Sequence, residues 1–274
     1  MHETPKDMRT RKKTQPISSA DIEALYNASV TDKAERYNIT VPKSWSELTD
    51  EQLRYVYTLL AMGWMGDTLQ TYCLIRWAGL EVERKRTARY WLVRHEGKLL
   101  QIDLNNLADS VEAMSWLNET PDTPVCISAI NGHKAIDAQL HGLSFGDYIR
   151  LENYYQGYLM SKNEKAVAAM AEILYPGIEG EKIEPYLAYA IIQWMVSLKK
   201  LFAQLWPDFF RPASASADGT PPDMRAVMVA EIRALTGGDV TKNSTVLATD
   251  TWDALTELNE KAREAREFNE KTKK

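Results

Sequence analysis

Cysteine and histidine are scarce in this sequence. Only two cysteines and four histidines occur among 274 residues. The cysteines, Cys73 and Cys126, lie far apart and belong to no CxxC pair, so a disulfide framework and a cysteine-based zinc site are unsupported. We expect both to be small buried apolar side chains. A chain of this length can build its core from apolar packing alone, and no cofactor is expected.

Long apolar runs are missing as well. The most apolar segment extends from Tyr186 to Leu198, where Lys199 and Lys200 follow, well short of the roughly 18 residues expected of a membrane-spanning helix. The basic region around Arg9 lacks the apolar stretch of a secretory signal. We therefore expect a cytoplasmic protein that has no membrane partner.

Sequence patterns typical of catalysis are also lacking. The chain contains no GxSxG, no HExxH and no glycine-rich phosphate loop between a strand and a helix. His133 and His141 could converge near a predicted hairpin, but histidines on strand surfaces without a defined partner are more often solvated than bound to metal. We expect neither a metal site nor an enzyme.

What the sequence does contain is typical of a folded globular protein. Hydrophobic residues make up 45% of the chain and charged residues 26%, proportions that argue against general disorder. The net charge of -5 argues against a protein whose whole surface binds nucleic acid. Eight tryptophans and 13 tyrosines supply large rings that serve in cores or as interface anchors.

Hydrophobic periodicity predicts a mostly helical body. Thr49 and Gln52 form a capping-box pattern at the start of the first clear helix, and Gly63 and Gly66 are expected to break or bend it. Its apolar stripe comprises Leu53, Val56, Tyr57, Leu60 and Trp64. Further helices are predicted over residues 68–78, 104–117, 144–159, 163–174, 185–206, 223–235 and 250–271, with a short one near Asp21.

Two β-hairpins interrupt the helical pattern. One is predicted over residues 89–102 around Glu96-Gly97-Lys98, and the other over 125–140 around Asn131-Gly132, a strong two-residue turn signal. The two hairpins could share one sheet. The predicted fold class is α+β, mostly α, with a helical body, one small antiparallel β-hairpin sheet and a C-terminal helical extension.

Composition divides the chain into four parts. We predict a flexible basic arm over 1–19, an α-rich main domain over 20–210, a linker over 211–222 and a C-terminal helical pair over 223–274. The last helix has a narrow apolar stripe, which is typical of a solvated appendage or of one half of a coiled pairing. Deleting residues 213–274 is therefore expected to leave a folded body and to weaken association.

Three surfaces are candidates for binding a partner. The residues proposed for contact are Trp252, Leu255 and Leu258 in the last helix, Tyr155 and Tyr158 in an aromatic helix, and Arg84, Arg86 and Trp91 beside the first hairpin. The last helix could also mediate self-association. The basic patch over 84–91 and the arm at 1–19 could hold single-stranded nucleic acid, although Trp91 is equally suited to packing beneath a hairpin.

Three phrases of the sequence carry a family resemblance. They are Val41–Leu53, Leu143–Ile149 with the later Ile173–Pro176, and Ile232–Thr241. In this order they resemble tail-assembly-chaperone-like and other particle-assembly proteins of Bacteroidetes phages and prophages.

The resemblance implies a non-enzymatic protein that binds a phage tail component, or another particle protein, during assembly. It equally allows a structural or adaptor component that is built into the particle, while a nucleic-acid-binding protein is a further alternative.

Overall fold

The computed structural model describes residues 39–84, 90–211 and 224–272. The helices in this part are α1 (Asp50–Ala61), α2 (Gly66–Trp77), α3 (Leu104–Glu112), α4 (Phe145–Ser161), α5 (Glu164–Leu174), α6 (Pro185–Leu205), α7 (Met224–Thr236), α8 (Asn243–Ala248) and α9 (Thr251–Thr272). The strands are β1 (Glu81–Arg84), β2 (Tyr90–His95), β3 (Lys98–Asp103), β4 (Ala129–Ile130) and β5 (His133–Lys134). The mostly helical α+β fold class is thereby confirmed. The arm at 1–19, the predicted helix near Asp21 and all of the linker except Arg211 lie outside the described residues.

The start of α1 is capped as predicted, but its end differs. The Gln52 amide donates to Thr49 Oγ1 at 3.3 Å, and the Thr49 amide donates to Gln52 Oε1 at 2.9 Å, so both bonds of a capping box are present. The helix ends at Ala61 because Gly63 adopts φ +84°, outside the helical range. The prediction that Trp64 belongs to the buried stripe of this helix is therefore wrong.

Both predicted hairpins form, in separate sheets. β1, β2 and β3 make one antiparallel sheet in that order, and β4 pairs with β5 in another. The Asn131-Gly132 turn has φ of 49° and 91°, the two positive values that a type I′ turn requires. Its ladder is short because the next amide beyond Ala135, that of Ile136, donates to the carbonyl of Leu174 at the end of α5. The expectation that the hairpins share one sheet is wrong.

Helix α6 lies at the centre of the core, as its apolar sequence predicts. It packs against α1 and α5. Trp194 is buried, and its indole Nε1 donates to the carbonyl of Ala138 at 2.7 Å, which satisfies the one polar atom of a large ring. The buried side chains of α6 are Leu187, Ala190, Ile191, Trp194, Met195, Ser197, Leu198 and Phe202. Within the described residues no helix is long and apolar enough to cross a membrane.

The C-terminal helices pack onto the rest of the fold. Ser144 and Asp250 form an isolated antiparallel bridge, in which the Phe145 amide donates to Thr249 O at 2.8 Å and the Thr251 amide donates to Leu143 O at 2.9 Å. These bonds join the starts of α4 and α9. Helix α8, which lies between two predicted helices where no helix is expected from the sequence, packs against α4 and α7.

Candidate functional site

Of the three predicted anchors of the last helix, Leu255 and Leu258 are buried inside this chain and Trp252 is partly buried. Leu255 and Leu258 belong to the same hydrophobic core as α6, and Trp252 Nε1 donates to Gln139 O at 2.8 Å. The Trp252 ring also stacks on His141, with centroids 4.1 Å apart. A narrow stripe suffices for this burial because the helix lies in a groove lined by large aromatic rings, including Trp206. Leu255 and Leu258 therefore lie in the core of this chain, and a contact of this helix with a partner stays a prediction.

The aromatic helix α4 also turns its predicted residues inward. Tyr155 is buried, and Lys199 Nζ lies 5.9 Å from the centre of its ring. Tyr158 is partly buried under Lys162, whose Nζ lies 5.0 Å from the ring. The exposed apolar side chains of this helix are instead Leu159 and Met160, in its last turn.

Of the predicted basic and aromatic patch, the structure describes the side chain of Trp91 but not those of the two arginines. Trp91 is partly buried and packs against the core. Arg84 ends β1, and its side chain lies outside what the structure describes. Arg86 lies outside the described residues altogether.

An exposed apolar surface lies instead on the connection between α1 and α2. Met62 and Met65 are 69% and 72% exposed, and Trp64 is 40% exposed. Tyr72 of α2, itself 44% exposed, contacts Trp64 with ring centroids 5.4 Å apart. We call these four residues the methionine–tryptophan surface. Large apolar side chains that cluster on a surface, unlike single ones, mark interaction sites.

Two glycines shape this connection. Gly63 and Gly66 have φ of +84° and +59°, values that most side chains avoid. The Trp64 amide donates back to Leu59 O at 3.0 Å, and the Gly66 amide donates to Asn118 Oδ1 at 3.1 Å. The turn thereby directs its methionines and tryptophan away from the core.

Sequence reasoning missed this surface although a signal for it was present. The two glycines were expected to break the helix, yet Trp64, which lies between them, was assigned to the helical stripe. A tryptophan between two helix-breaking glycines belongs to a loop, and loops run over the surface. The flanking methionines follow the same rule.

A second feature is a partly enclosed cleft of about 410 Å³ between α4, α6, α7 and the segment after α6. Tyr148, Glu152, Lys199, Phe210, Met228 and Glu231 contribute to its lining. Glu152 Oε1 accepts from Lys199 Nζ at 2.6 Å and from Gln156 Nε2 at 2.7 Å. Glu152 Oε2 is buried without a hydrogen-bond partner in the described structure. Two carboxylates, those of Glu152 and Glu231, therefore line this cleft together with one lysine, which is bonded to Glu152.

Other reactive groups are held in structural contacts. His133 Nε2 pairs with Glu181 Oε1 at 3.1 Å, whereas His141 stacks on Trp252, so the two histidines have different neighbours. Burial raises the pKa of Cys73 to about 12 and that of Cys126 to about 11, which makes both thiols poor nucleophiles near neutral pH. Among the described residues no group of three or more His, Cys, Asp or Glu side chains is arranged to hold a metal ion.

Comparisons of the chain with known protein families, curated proteins and solved structures found no significant match. The surfaces of the molecule itself are therefore the guide to its function. The methionine–tryptophan surface combines high exposure, large apolar side chains and a defined backbone. It is the best candidate site for a macromolecular contact.

Proposed function

We propose that this protein acts without chemistry, by binding another protein of a phage particle through the methionine–tryptophan surface. The observation that carries the proposal is the exposure of Met62, Trp64 and Met65 at one turn, with the exposed Tyr72 of α2 against Trp64. Tryptophan, tyrosine and methionine are enriched in the centres of protein interfaces. Flexible methionine side chains also adapt to partners of differing shape.

The chemistry of the surface favours an apolar protein partner over a nucleic acid. The turn from Met62 to Gly66 contains no charged side chain, and the first residue after it is the acidic Asp67. Nucleic acids are bound chiefly by cations that neutralise phosphates, which this turn lacks. An apolar segment of another chain would bury the tryptophan and the methionines and gain affinity from their removal from water.

The particle context rests on the family resemblance of Val41–Leu53, Leu143–Ile149 and Ile232–Thr241. A tail protein that aggregates before assembly exposes apolar surface, and a chaperone-like protein would cover that surface until the tail forms. The turn has the composition that such a contact needs. The alternative within the same context is an adaptor that stays in the finished particle and uses the same surface.

Co-expression tests the proposal. The protein would be produced together with each protein of a set of phage tail proteins, as wild type and as the double variant Trp64→Ala, Met65→Ala. We expect the wild type to keep one of these proteins soluble and to co-purify with it. The double variant should weaken the complex by at least about 30-fold in Kd, because truncating an interface tryptophan commonly costs about 2 kcal/mol or more.

The matched control is Phe268→Ala, which removes an even more exposed ring from α9. Wild-type affinity in this variant would show that the effect belongs to the surface and not to exposed rings in general. If the double variant binds the tail protein as tightly as the wild type, the proposed surface is wrong. Presence of the protein in purified particles would favour the adaptor, and absence would favour the chaperone.

A further inference from the structure

Helix α7 is attached to the body by a weak apolar face. Met228, Ile232 and Leu235 pack against the core, but all three are only partly buried. Val229 is exposed, and Thr236 is the one buried side chain among residues 225–236 of this helix. Hydrophobic stabilisation grows with the apolar area removed from water, so small electrostatic changes have a large influence on whether α7 stays docked.

The charged groups beneath α7 are unevenly paired. Glu231 enters the cleft from α7, and it faces Tyr148 and Glu152 from α4, Lys199 from α6 and Arg211 from the segment after α6. Lys199 is already engaged by Glu152, and its Nζ also lies 5.9 Å from the centre of the Phe210 ring. The Glu231 carboxylate makes neither a hydrogen bond nor an ion pair with the described residues. An ionised Glu231 would therefore add a second negative charge beside a lysine that Glu152 already engages.

We propose that α7 is a proton-controlled strap, which docks over this cleft while Glu231 is neutral and loosens when Glu231 is ionised. The device is separate from the methionine–tryptophan surface, and neither depends on the other. It stands on the juxtaposition of two carboxylates from different helices beside one lysine, under a helix whose core-facing apolar side chains are only partly buried.

The direction of the pH response follows from the environment of Glu231. The pKa of Glu231 is raised from 4.5 to about 7. Burial is the largest cause, repulsion by Glu152 acts in the same direction, and attraction by Lys199 lowers the pKa. A raised folded-state pKa means that the stabilisation of the docked state is complete below pH 4.5 and is lost as the pH rises through about 7. A shift of this size corresponds to a change on the order of a hundredfold in the docking equilibrium.

Hydrogen exchange measured by mass spectrometry on the full-length protein tests the strap. Protection factors of α7 and α6 amides would be compared between pH 5 and pH 8, after correction for the intrinsic pH dependence of exchange. We expect protection of α7 to fall by roughly ten- to a hundredfold over this range, while that of α6 stays constant. Equal losses in both helices, or constant protection of α7, would overturn the proposal.

Two variants isolate the carboxyl responsible. Glu231→Gln mimics the neutral side chain, and we expect it to keep α7 protected at every pH. Glu172→Gln removes the same charge from an exposed position on α5, and we expect it to behave like the wild type. A wild-type pH response in Glu231→Gln would show that another group controls α7, and the strap would have to be abandoned.

Discussion

Gly177 occupies a backbone conformation and a space that together exclude other residues. Its φ is +92°, and a Cβ built there would lie 2.8 Å from His133 Nδ1. The same histidine pairs with Glu181 through its other nitrogen at 3.1 Å, so it is not free to move aside. We expect Gly177→Ala to lower the free energy of unfolding by about 2 to 4 kcal/mol, from backbone strain and displaced packing together.

Gly180→Ala is the matched control for this effect. Gly180 also has a positive φ, of +80°, but a Cβ there meets nothing within 4 Å. Its loss should be limited to about 1 to 2 kcal/mol of backbone strain. Urea unfolding followed by tryptophan fluorescence measures both variants. Equal losses would mean that the contact with His133 contributes nothing.

Single residues were predictable where their roles are local. The Asn131-Gly132 turn follows from the conformations these two residues tolerate, whatever surrounds them. The burial of Leu255 could not be read in the same way, because it depends on how α9 docks. The rings that Trp252 of this helix contacts, Phe202 and Trp206, lie about fifty positions earlier in the chain. Periodicity reports which side of a helix is apolar, not how deeply that side is covered.

Whole helices were predicted well because caps and breakers act within a few residues. Helix α1 begins at its predicted cap, and Asn163 and Ser144 cap α5 and α4 through bonds to backbone amides. The short helix α8 was missed, since its six residues have too few turns to show a period. The third strand, β1, was missed for the same reason, having four residues.

The cap of α1 allows a prediction at this scale. Thr49→Ala removes the oxygen that accepts from the Gln52 amide, and it should destabilise the protein by about 1 kcal/mol. Thr49→Ser keeps the oxygen and should remain within about 0.5 kcal/mol of the wild type. Thermal unfolding of the three proteins compares them. If serine is as damaging as alanine, the methyl group and not the capping oxygen is what matters.

At the level of the whole molecule, the exposure of the methionine–tryptophan surface and the burial of α9 could not be predicted from the sequence, for one reason. Local patterns identify apolar side chains, but only the tertiary arrangement decides which of them face another element and which face solvent. For this reason Trp64, which was predicted to lie in the stripe of a helix, is exposed, and Leu255, which was predicted to contact a partner, is buried in the core. The fold class was predicted correctly because it depends only on the types of the elements, whereas the candidate site depends on how those elements pack.

The stability of a truncated chain tests whether α9 is part of the core. Ending the chain at Ala248 removes Leu255, Leu258 and Ala254 from the core, together with the bonds that join Thr251 to Leu143. Two buried leucines contribute about 1.5 to 3 kcal/mol each, and uncovering the aromatic groove adds to the loss. Because domains are stable by only about 5 to 15 kcal/mol, we expect the truncated body to unfold at a much lower temperature or to aggregate.

A chain ending at Glu267 separates this effect from shortening as such. It keeps every buried residue of α9 and the ion pair between Arg266 and Asp208, and it loses only residues from the exposed Phe268 onward. Its Tm, measured by circular dichroism, should match that of the full chain. If the chain ending at Ala248 also keeps the full Tm, α9 is an appendage after all, and the division predicted at the linker describes the molecule better than the shared core does.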